Sequence, residues 1–371
     1  MSWNYVPFNK TLEKVKNTNK IPRKLFLSSG SYPVISQEKD FINGYWNESD
    51  DLFKVEKPVV IFGDHTKVIK LVGFDFVMGA DGVKVFLPND KFDSAFFYYF
   101  LLSVKLPDLG YARHFKLLTD LVIPCPSIEE QQRIVAILDA AFEQIDQAKA
   151  IAQQNLQNAR EIFDSALNNF FCITNLNKSF QLCEVCQLIN GKAYKKTELL
   201  NEGKYRVLRV GNFFTSNHWY YSDLELEEAK YCDEGDLLYA WSASFGPRIW
   251  SGEKTIYHYH IWKVVHKKEI IDKEYLYYWF LWDKEQIKKE LGAGTTMVHV
   301  SMKSMNARRI VLPDMDIQTS QVNTLKYIES EVKNLESIYQ QKITALDELK
   351  QSLLQQAFSG QLTAKHSDAP V

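Results

Sequence analysis

Two stretches within the first 126 residues concentrate side chains that carry positive charge or donate hydrogen bonds. Donors of this kind bind phosphate oxygens, and forked or amide groups also bind the edges of nucleobases. Neighbouring glycines would let the backbone approach a phosphate closely. The alternative is that these are solvated surface charges and turn residues, with His65 paired to Asp64 for structural reasons. The candidates are His65, Thr66, Lys67, Lys70, Arg113, His114 and Lys116.

A second set of donors lies in the other half of the chain. One is a basic cluster around an aromatic residue, and the other comprises two serines and an arginine on a predicted small-residue loop. The same two interpretations apply to this set. The candidates are Lys192, Tyr194, Lys195, Lys196, Ser242, Ser244 and Arg248.

Two pairs of potential metal ligands are better explained without a metal. Cys183 and Cys186 have the spacing of zinc ligands, but no second Cys or His pair follows at a matching distance. Cys186 lies in an apolar stretch, which predicts a buried thiol. His258 and His260 alternate with tyrosines in a strand-like run, so we expect them on one face of a sheet. We expect neither a metal site nor a cofactor.

The composition is that of a folded protein with more than one domain. The 371 residues are 46% hydrophobic and 13% aromatic, and they exceed the usual length of a single domain. Five cysteines with irregular spacing predict free thiols and a reducing compartment. The apolar runs are too short to cross a bilayer, so we expect a cytoplasmic protein without membrane association.

The net charge of −2 does not favour an anionic partner, but the charge is unevenly distributed. Residues 127–172 contain three basic and seven acidic side chains, and residues 316–360 contain four and six. The rest of the chain is therefore mildly basic. Any contact with an anionic polymer must come from local patches.

Two long amphipathic patterns must position these candidates. Ser127 and Glu130 form a capping box after Pro126, which predicts the start of the first helix. In the second pattern Asp316 takes the capping position, and Gly360 supplies the stop. Each helix runs for roughly 45 residues, or about 65 Å. The predicted apolar seams are Ile134, Leu138, Ala141, Ile145, Ala148, Ala152, Leu156, Ala159, Phe163, Ala166 and Phe170 in the first helix, and Val322, Leu325, Ile328, Val332, Leu335, Tyr339, Ile343, Leu346, Leu349, Leu353 and Ala357 in the second.

The sequence also repeats itself at a separation of roughly 170 to 190 residues. Each copy ends where one of the long helices begins. The matched runs, in order, are Gly30–Ile35 with Gly203–Leu208, Phe96–Leu101 with Tyr275–Phe280, and Leu121–Pro124 with Ile310–Pro313. The order along the chain is therefore domain, helix, domain, helix.

A single narrow stripe on so long a helix cannot be buried against a small domain, so the simplest partner of each helix is the other. From the seam alone, a generic oligomerisation stalk remains an open alternative. The repeat favours antiparallel pairing, with the two domains at opposite ends of a pseudo-twofold molecule.

Outside the helices, short β-type runs separated by Gly, Asp and Asn turns predict mixed α/β domains with curved sheets. These runs include Pro58–Phe62, Val83–Leu87, Tyr205–Val210 and Ile261–Val265.

Several motifs resemble the target-recognition domains of type I restriction-modification specificity subunits. In the first domain they are Ser36-Gln37 with Phe41–Tyr45, Ile61–Thr66, Gly79–Val83 and Gly110–Phe115. Ile123–Ile134 is similar to the family's junction into its spacer helix, and Gly235–Gly246 to a second class of target domain. The second junction, Pro313–Gln321, lacks the Glu-Gln pair of the first.

The resemblance implies a subunit that binds double-stranded DNA, each domain recognising one half of a bipartite target while the helices set the spacing. It also implies two methyltransferase (modification) subunits as partners, with motor-nuclease (restriction) subunits in the full complex. The chemistry would belong to those partners, and this sequence has no Asn/Asp-Pro-Pro-aromatic or Gly-Lys-Ser/Thr motif. The alternative is a coiled-coil scaffold that organises protein partners without recognising DNA.

The expected fold class is α/β, with two repeated mixed α/β target-recognition domains separated by two long antiparallel coiled-coil helices. The expected divisions are residues 1–126 for the first domain, 127–172 for the first helix, 173–315 for the second domain and 316–362 for the second helix.

Overall fold

The computed structural model describes residues 3–16, 18–80, 82–110, 112–172, 179–242, 244–291 and 299–363. The chain divides into two compact units, one formed by residues 1–153 with 341–371 and the other by residues 154–340. Each unit contains one copy of the repeat and one part of each long helix. No helix in the described ranges is both long and apolar enough to cross a membrane.

The strands of the first unit form two larger sheets and a two-stranded pair. They are β1 (Asn4–Pro7), β2 (Leu12–Glu13), β3 (Lys20–Ile21), β4 (Tyr32–Ile35), β5 (Gly44–Trp46), β6 (Leu52–Phe53), β7 (Val59–Gly63), β8 (Ile69–Val72), β9 (Phe76–Gly79), β10 (Val83–Pro88) and β11 (Val122–Cys125). One sheet has the order β2-β10-β7-β8, and the other β3-β9-β4-β5 with β6 also on β9. β1 pairs with β11.

The strands of the second unit repeat this arrangement. They are β12 (Ser179–Gln181), β13 (Cys186–Asn190), β14 (Tyr205–Leu208), β15 (Tyr220–Ser222), β16 (Tyr231–Cys232), β17 (Leu237–Ala240), β18 (Gly246–Ile249), β19 (Thr255–Tyr257), β20 (Ile261–His266) and β21 (Arg309–Val311). The order β13-β20-β17-β18 matches β2-β10-β7-β8. β14 pairs antiparallel with β15 and parallel with β19, as β4 does with β5 and β9.

The matched glycines of the repeat do the same work in both units. A Cβ on Gly30 would lie 2.9 Å from the Asn47 Oδ1 atom, and a Cβ on Gly203 would lie 2.9 Å from the Asp223 Oδ1 atom. In each case that oxygen accepts a hydrogen bond from the backbone N–H that follows the glycine, at 3.0 Å in the first unit and 2.8 Å in the second. The sequence match between these two runs therefore corresponds to the same backbone contact in both units.

The two long helices are confirmed. The helices are α1 (Ser94–Ser103), α2 (Phe115–Leu118), α3 (Ile128–Phe171), α4 (Leu182–Val185), α5 (Val210–Phe214), α6 (Lys273–Leu291), α7 (Met302–Asn306) and α8 (Met315–Phe358). At the start of α3 the Glu130 N–H donates to Ser127 Oγ at 3.4 Å. Gly360, at φ +78°, follows the end of α8 as expected.

The predicted cap of α8 at Asp316 is wrong. The helix begins one residue earlier than that position, at Met315. The Asp314 carbonyl accepts from the N–H groups of Ile317 and Gln318 at 2.9 and 3.0 Å. Asp314 therefore precedes the helix, and Asp316 lies within its first turn.

Within each unit, α3 and α8 run antiparallel. In the first unit Lys149 Nζ lies 2.6 Å from Asp347 Oδ1, and Lys350 Nζ lies 3.0 Å from Asp146 Oδ1. In the second unit the Arg160 Nε–H donates to Glu336 Oε1 at 2.7 Å. Because the partner number falls as the α3 number rises, the helices pair in opposite directions, as expected.

The predicted seam of α8 is wrong at Leu349, which is 47% exposed. Lys350 occupies the inward position instead, and its Nζ lies 4.5 Å from the centroid of the Phe142 ring. An ammonium above the face of an aromatic ring is attracted to the negative face of that ring. A search of the sequence for apolar residues alone therefore selects Leu349 instead of Lys350 for this position of the seam.

Both cores incorporate the ends of the long helices. In the first unit the Phe358 ring packs edge-on against Phe96 and Phe100 of α1, at 5.1 and 5.4 Å between centroids. In the second unit Phe171 packs edge-on against Tyr275 of α6 at 5.2 Å. Each domain is thus completed by helix ends rather than merely attached to them.

A buried glutamine joins each long helix to its own domain. The Gln131 side chain accepts from the Asp93 N–H at 2.8 Å and donates to the Lys91 and Pro126 carbonyls at 2.8 and 3.0 Å. Asp93 in turn caps α1.

Gln318 repeats this arrangement at the start of α8. It accepts from the Asp272 N–H at 3.0 Å and donates to the Ile270 and Pro313 carbonyls at 3.1 and 2.9 Å. Pro313 therefore corresponds to Pro126, not to Pro124 as the sequence match had it. The second junction lacks the Glu-Gln pair but keeps the glutamine.

Replacing Gln318 with Ala is expected to lower the free energy of unfolding by about 1–3 kcal/mol, because two partly buried carbonyls and one N–H lose their partners. Urea unfolding followed by tryptophan fluorescence measures the change. Gln157→Ala, on the exposed face of α3, is the matched control and should change stability little. If Gln318→Ala and the control were equally stable, the proposed role of Gln318 in fixing α8 to its domain would be contradicted.

Candidate nucleic-acid interface

Four chain segments meet at one edge of the first domain. The backbone N–H of Asp64 donates to the Gly82 carbonyl, and the Asp64 carbonyl accepts from the His114 N–H, both at 2.8 Å. The Gln37 side-chain oxygen accepts from the His65 N–H at 3.2 Å. These contacts join the loop after β4, the β7–β8 turn, the β9–β10 loop and the segment before α2. We call them the first loop edge, residues 36–37, 64–67, 80, 82 and 112–115.

Asp64 and His114 form the buried framework of this edge. The Asp64 carboxylate accepts from the Phe115 N–H at 2.8 Å, and Asp64 is only 2% exposed. His114 is fully buried, with its Nδ1 3.0 Å from the Asp64 carbonyl and its Nε2 accepting from the Leu109 N–H at 3.2 Å. Both ring nitrogens of His114 are therefore occupied within the protein, which favours a structural role.

The candidate residues with solvent-exposed surface lie on the β7–β8 turn, just before α2 and on α2. Thr66, Arg113 and Lys116 are exposed, and His65 and Lys67 are half-buried. Lys67 adopts φ +60°, and its Nζ lies 3.6 Å from Asp108 Oδ1. The first loop edge therefore brings His65, Thr66, Lys67 and Arg113 together, while Lys116 lies on α2.

Lys70 is only 4% exposed and points inward. Its ammonium donates to the carbonyls of Ser36 and Asp40 at 2.9 and 2.5 Å and to Asn43 Oδ1 at 3.1 Å. Burial lowers the pKa of Lys70 to about 8, against the opposing effect of Glu38 and Asp40. Its contacts fix the loop after β4, so they favour a positioning role over contact with a ligand.

The second domain has an equivalent edge. The Trp241 N–H donates to the His260 carbonyl at 3.0 Å, the Val300 N–H to the Trp241 carbonyl at 3.1 Å, and the His258 N–H to the Leu208 carbonyl at 2.9 Å. The loop after β14, the β17–β18 turn, the β19–β20 loop and the segment before α7 therefore meet as in the first domain. We call them the second loop edge, residues 208–209, 241–242, 244, 258–260 and 299–301.

The predicted lysine cluster adjoins this edge. Lys192 N donates to the Tyr257 carbonyl, and Tyr259 N donates to the Lys192 carbonyl, both at 3.0 Å. Gly191 permits this approach, because a Cβ there would lie 2.1 Å from the Tyr257 carbonyl oxygen. Lys192 Nζ is 3.3 Å from a carboxylate oxygen of Glu198.

The other members of the cluster differ in exposure. Lys195 and Lys196 are exposed, whereas Tyr194 is half-buried and stacks on the His258 ring at 6.2 Å between centroids. The exposed ammonium groups of Lys195 and Lys196 are therefore the solvent-facing donors, and Tyr194 supports the edge from within.

The small-residue loop is divided. Ser242 is 6% exposed and forms a β-bridge with His299, whereas Ser244 is exposed on the β17–β18 turn. Arg248 lies on β18, where its guanidinium donates to the Phe213 carbonyl of α5. The structure thus places Ser244 on the second loop edge and Arg248 against α5. Three positions of the predicted motif runs, Asp81, Tyr111 and Ala243, lie outside the described residues.

The expectation that His258 and His260 share a sheet face is wrong. Both lie in the connection between β19 and β20, with ring centroids 4.8 Å apart. This puts them on the second loop edge with Trp241, Tyr259 and His299, which the sequence analysis missed as candidates. These residues lie on loops that correspond to the motif-bearing loops of the first domain, and that correspondence is the signal that could have identified them.

The cysteine expectation holds for Cys186. Its thiol is buried and donates to the Leu182 carbonyl at 3.5 Å, and burial raises its pKa to about 12. Cys183 is exposed. In the part of the chain that the structure describes, no group of three or more His, Cys, Asp or Glu residues could hold a metal ion.

The two edges belong to domains that comparison with known families identifies. A family model described as the type I restriction modification DNA specificity domain matches residues 3–155 and 176–345. The chain belongs to this family. Its two matches coincide with the two copies of the repeat, so each loop edge lies in one specificity domain.

Relatives are specificity subunits of type I restriction enzymes. That of EcoBI from Escherichia coli is 19% identical over 211 residues, which cover 57% of this chain and 44% of the relative. That of EcoR124I/EcoR124II from Escherichia coli is 32% identical over 120 residues, covering 29% of this chain and 30% of the relative. The matches therefore span less than half the length of these relatives.

Solved structures share the fold over nearly the whole chain. A chain from a study of complex assembly and conformational transition of the type I R-M system has a TM-score of 0.77 and 18% identity, covering 97% of this chain and 98% of its own. The HsdS subunit from Thermoanaerobacter tengcongensis has a TM-score of 0.57 and 18% identity, covering 97% of each chain. The specificity domains and both long helices thus form a known architecture.

Replacing Lys70 with Met is expected to loosen the loop after β4 in the first specificity domain. The loss of donors to buried acceptors should lower the free energy of unfolding by about 1–3 kcal/mol at neutral pH. Lys67→Met, the same change on a partly exposed side chain, is the control. Urea unfolding and the rate of limited proteolysis within residues 36–43 measure the effect.

The pH dependence has a definite sign. Because the folded-state pKa of Lys70 is below its unfolded value, the unfolded chain binds more protons between about pH 8 and 10.5. The wild type should therefore gain stability relative to Lys70→Met as the pH rises through this window. A stability difference that stays constant or falls as the pH rises would contradict a lowered pKa for Lys70.

Proposed function

We propose that this chain is the DNA-specificity subunit of a type I restriction-modification complex. It would bind a bipartite sequence in double-stranded DNA, with one half recognised by each specificity domain. The observation that carries this proposal is the pair of equivalent loop edges, which share a backbone arrangement but present different side chains. One fold used twice with different surfaces suits the recognition of two different half-sites.

The chemistry of the edges supports contact with DNA. The first presents an imidazole, an ammonium and a guanidinium at His65, Lys67 and Arg113, whereas the Thr66 hydroxyl donates within the protein to the Gln37 carbonyl at 2.6 Å. Ammonium and hydroxyl groups position a protein on phosphates, whereas guanidinium groups also form paired hydrogen bonds with guanine. Lys195 and Lys196 beside the second edge, with Lys116 beside the first, would supply further phosphate contacts.

In this proposal the chain is not itself an enzyme. It would assemble with two methyltransferase (modification) subunits, and with motor-nuclease (restriction) subunits in the full complex. Residues 1–126 and 173–315 would be the recognition domains. Residues 127–172 and 316–362 would be spacers that set the distance between the half-sites.

The proposal is tested by co-expressing the chain with its methyltransferase partners in a host without other methylation and mapping the methylated bases genome-wide. We expect a bipartite motif with a gap of fixed length. Exchanging residues 1–126 for those of another family member should change one half of the motif and leave the other intact. A motif without a gap, or a change in both halves, would count against the proposal.

The spacer role predicts that longer helices lengthen the gap. Four residues inserted after Gln153 and four after Gln340, where the compact units divide, should add roughly 6 Å. At about 3.4 Å per base step this is nearly two base pairs. Methylome mapping should show the same half-sites with a longer gap.

Insertion also rotates the domains about the helix axes, so some lengths should be inactive. A series of four, seven and eleven residues is therefore needed, with substitution of exposed residues at the same points as the control. If all active members of the series keep the original gap, the helices do not set it.

A further inference from the structure

A column of stacked aromatic rings leads from the core of the second domain to its loop edge. Tyr239 stacks on Trp262 at 5.8 Å between centroids, and Trp262 stacks on Trp241 at 5.9 Å, each with planes inclined by 20°. Tyr239 and Trp262 are buried, and Trp241 is half-buried. The outermost indole is thus held in place by the two rings beneath it.

Hydrogen bonds fix this outer ring further. Trp241 Nε1–H donates to the Tyr259 carbonyl at 2.8 Å. Beneath it, Trp262 Nε1–H donates to Asn190 Oδ1 at 2.8 Å, next to the closely packed Gly191. A surface so constrained loses little conformational entropy on binding.

Three further rings surround Trp241. The His260 and Tyr259 rings pack edge-on at 4.9 and 5.9 Å between centroids, and the His299 ring is tilted by 57° at 6.1 Å. Tyr259 is 37% exposed, His299 is exposed and His260 is half-buried. We call Trp241, Tyr259, His260 and His299 the aromatic-imidazole patch.

Burial lowers the pKa of two histidines at the second loop edge. Burial, His299 and Arg209 lower the pKa of His260, and burial, His260 and Arg209 lower that of His258 to about 4. Of the neighbouring groups, Arg209 carries a positive charge at neutral pH. His258 is neutral at neutral pH.

The chemistry of the patch differs from that of the lysine cluster. A neutral imidazole both donates and accepts hydrogen bonds, as the base edges of the major groove do, and apolar side chains contact the thymine methyl group. An ammonium group, by contrast, suits phosphate oxygens, which carry no sequence information. The patch and the cluster adjoin through the contacts of Lys192 with Tyr257 and Tyr259.

We propose that the aromatic-imidazole patch determines the base preference of the second domain by contacting base edges in the major groove, while Lys195 and Lys196 contact the phosphates. This inference rests on the proposed DNA-recognition function and assigns it to particular side chains. It also assigns the same task to equivalent edges in both domains, with His65 and Arg113 in the first domain and the patch in the second.

The test uses the full chain assembled with its methyltransferase partners and a library of random duplex DNA, from which bound sequences are selected and counted. The variants are Tyr259→Ala and His260→Ala. His266→Ala is the matched control, because His266 ends the strand β20 that begins beside His260. Each variant should relax the preference at one or more positions of one half-site, on the order of tenfold for a lost base contact.

The other half-site should be unchanged in every variant, and the control should retain the full motif. Lys195→Ala combined with Lys196→Ala should instead weaken binding to all sequences and reduce its salt dependence. If His260→Ala lowers the unfolding midpoint, the result for Tyr259→Ala is used to test the proposal. The Tyr259 ring is exposed, and the Tyr259 carbonyl that binds Trp241 remains in the variant.

The outcomes separate this inference from the function on which it rests. If the wild type selects no bipartite motif, both fail. If it selects one and the patch variants select the same motif with the same preference, only the assignment to the patch is overturned. Weaker binding without a change in preference would also overturn it, because the patch would then contact phosphates alone.

Discussion

The structure depends on how the narrow apolar stripe of each long helix is covered. A stripe one or two residues wide is too narrow to hold a small domain by itself, so α3 and α8 cover each other along their length and enter the domain cores at their ends. Phe358 packs on α1 and Phe171 on α6. The buried glutamines Gln131 and Gln318 then fix the direction in which each helix leaves its domain, because they bind backbone groups on both sides of the junction. Within each unit, the domain and the helix ends that enter its core are consequently packed together.

The loop edges separate the groups that hold the backbone from the groups that face solvent. In the first domain Asp64, His114 and Lys70 are buried and satisfy backbone polar groups. In the second domain a stacked aromatic column has the corresponding role. Because backbone hydrogen bonds join the four segments in both cases, the exposed side chains can differ without loss of the arrangement. This division explains how two domains with little sequence in common present surfaces at the same place.

Features that depend on local pattern were predictable from the sequence. The Ser127 cap of α3, the heptad steps and the match of Gly30 with Gly203 each follow from neighbouring residues. The errors arose where three-dimensional packing decides. Lys350 replaces Leu349 in the seam because its ammonium lies over the Phe142 ring, and Pro313 matches Pro126 because the Gln318 side chain donates to the Pro313 carbonyl. For the candidate site, residue type alone selected Thr66, Lys67 and Arg113, and it could not distinguish them from the inward-facing Lys70 and His114. His260 and His299 could not be predicted as candidates, because they lie on separate loops that meet only in the folded chain.

The return of α8 to the first unit has a consequence for the order of folding. Residues 341–358 pack on α1 and α3, although the whole of the second unit lies between them and residue 153 in the chain. On the ribosome, the part of the core formed by Phe96 and Phe100 therefore stays uncovered until Phe358 has been synthesised. The unit that is translated first is thus the last to complete its core, and closing so long a connection carries an entropic cost that local contacts do not. During synthesis this apolar surface therefore needs protection from aggregation until α8 is complete.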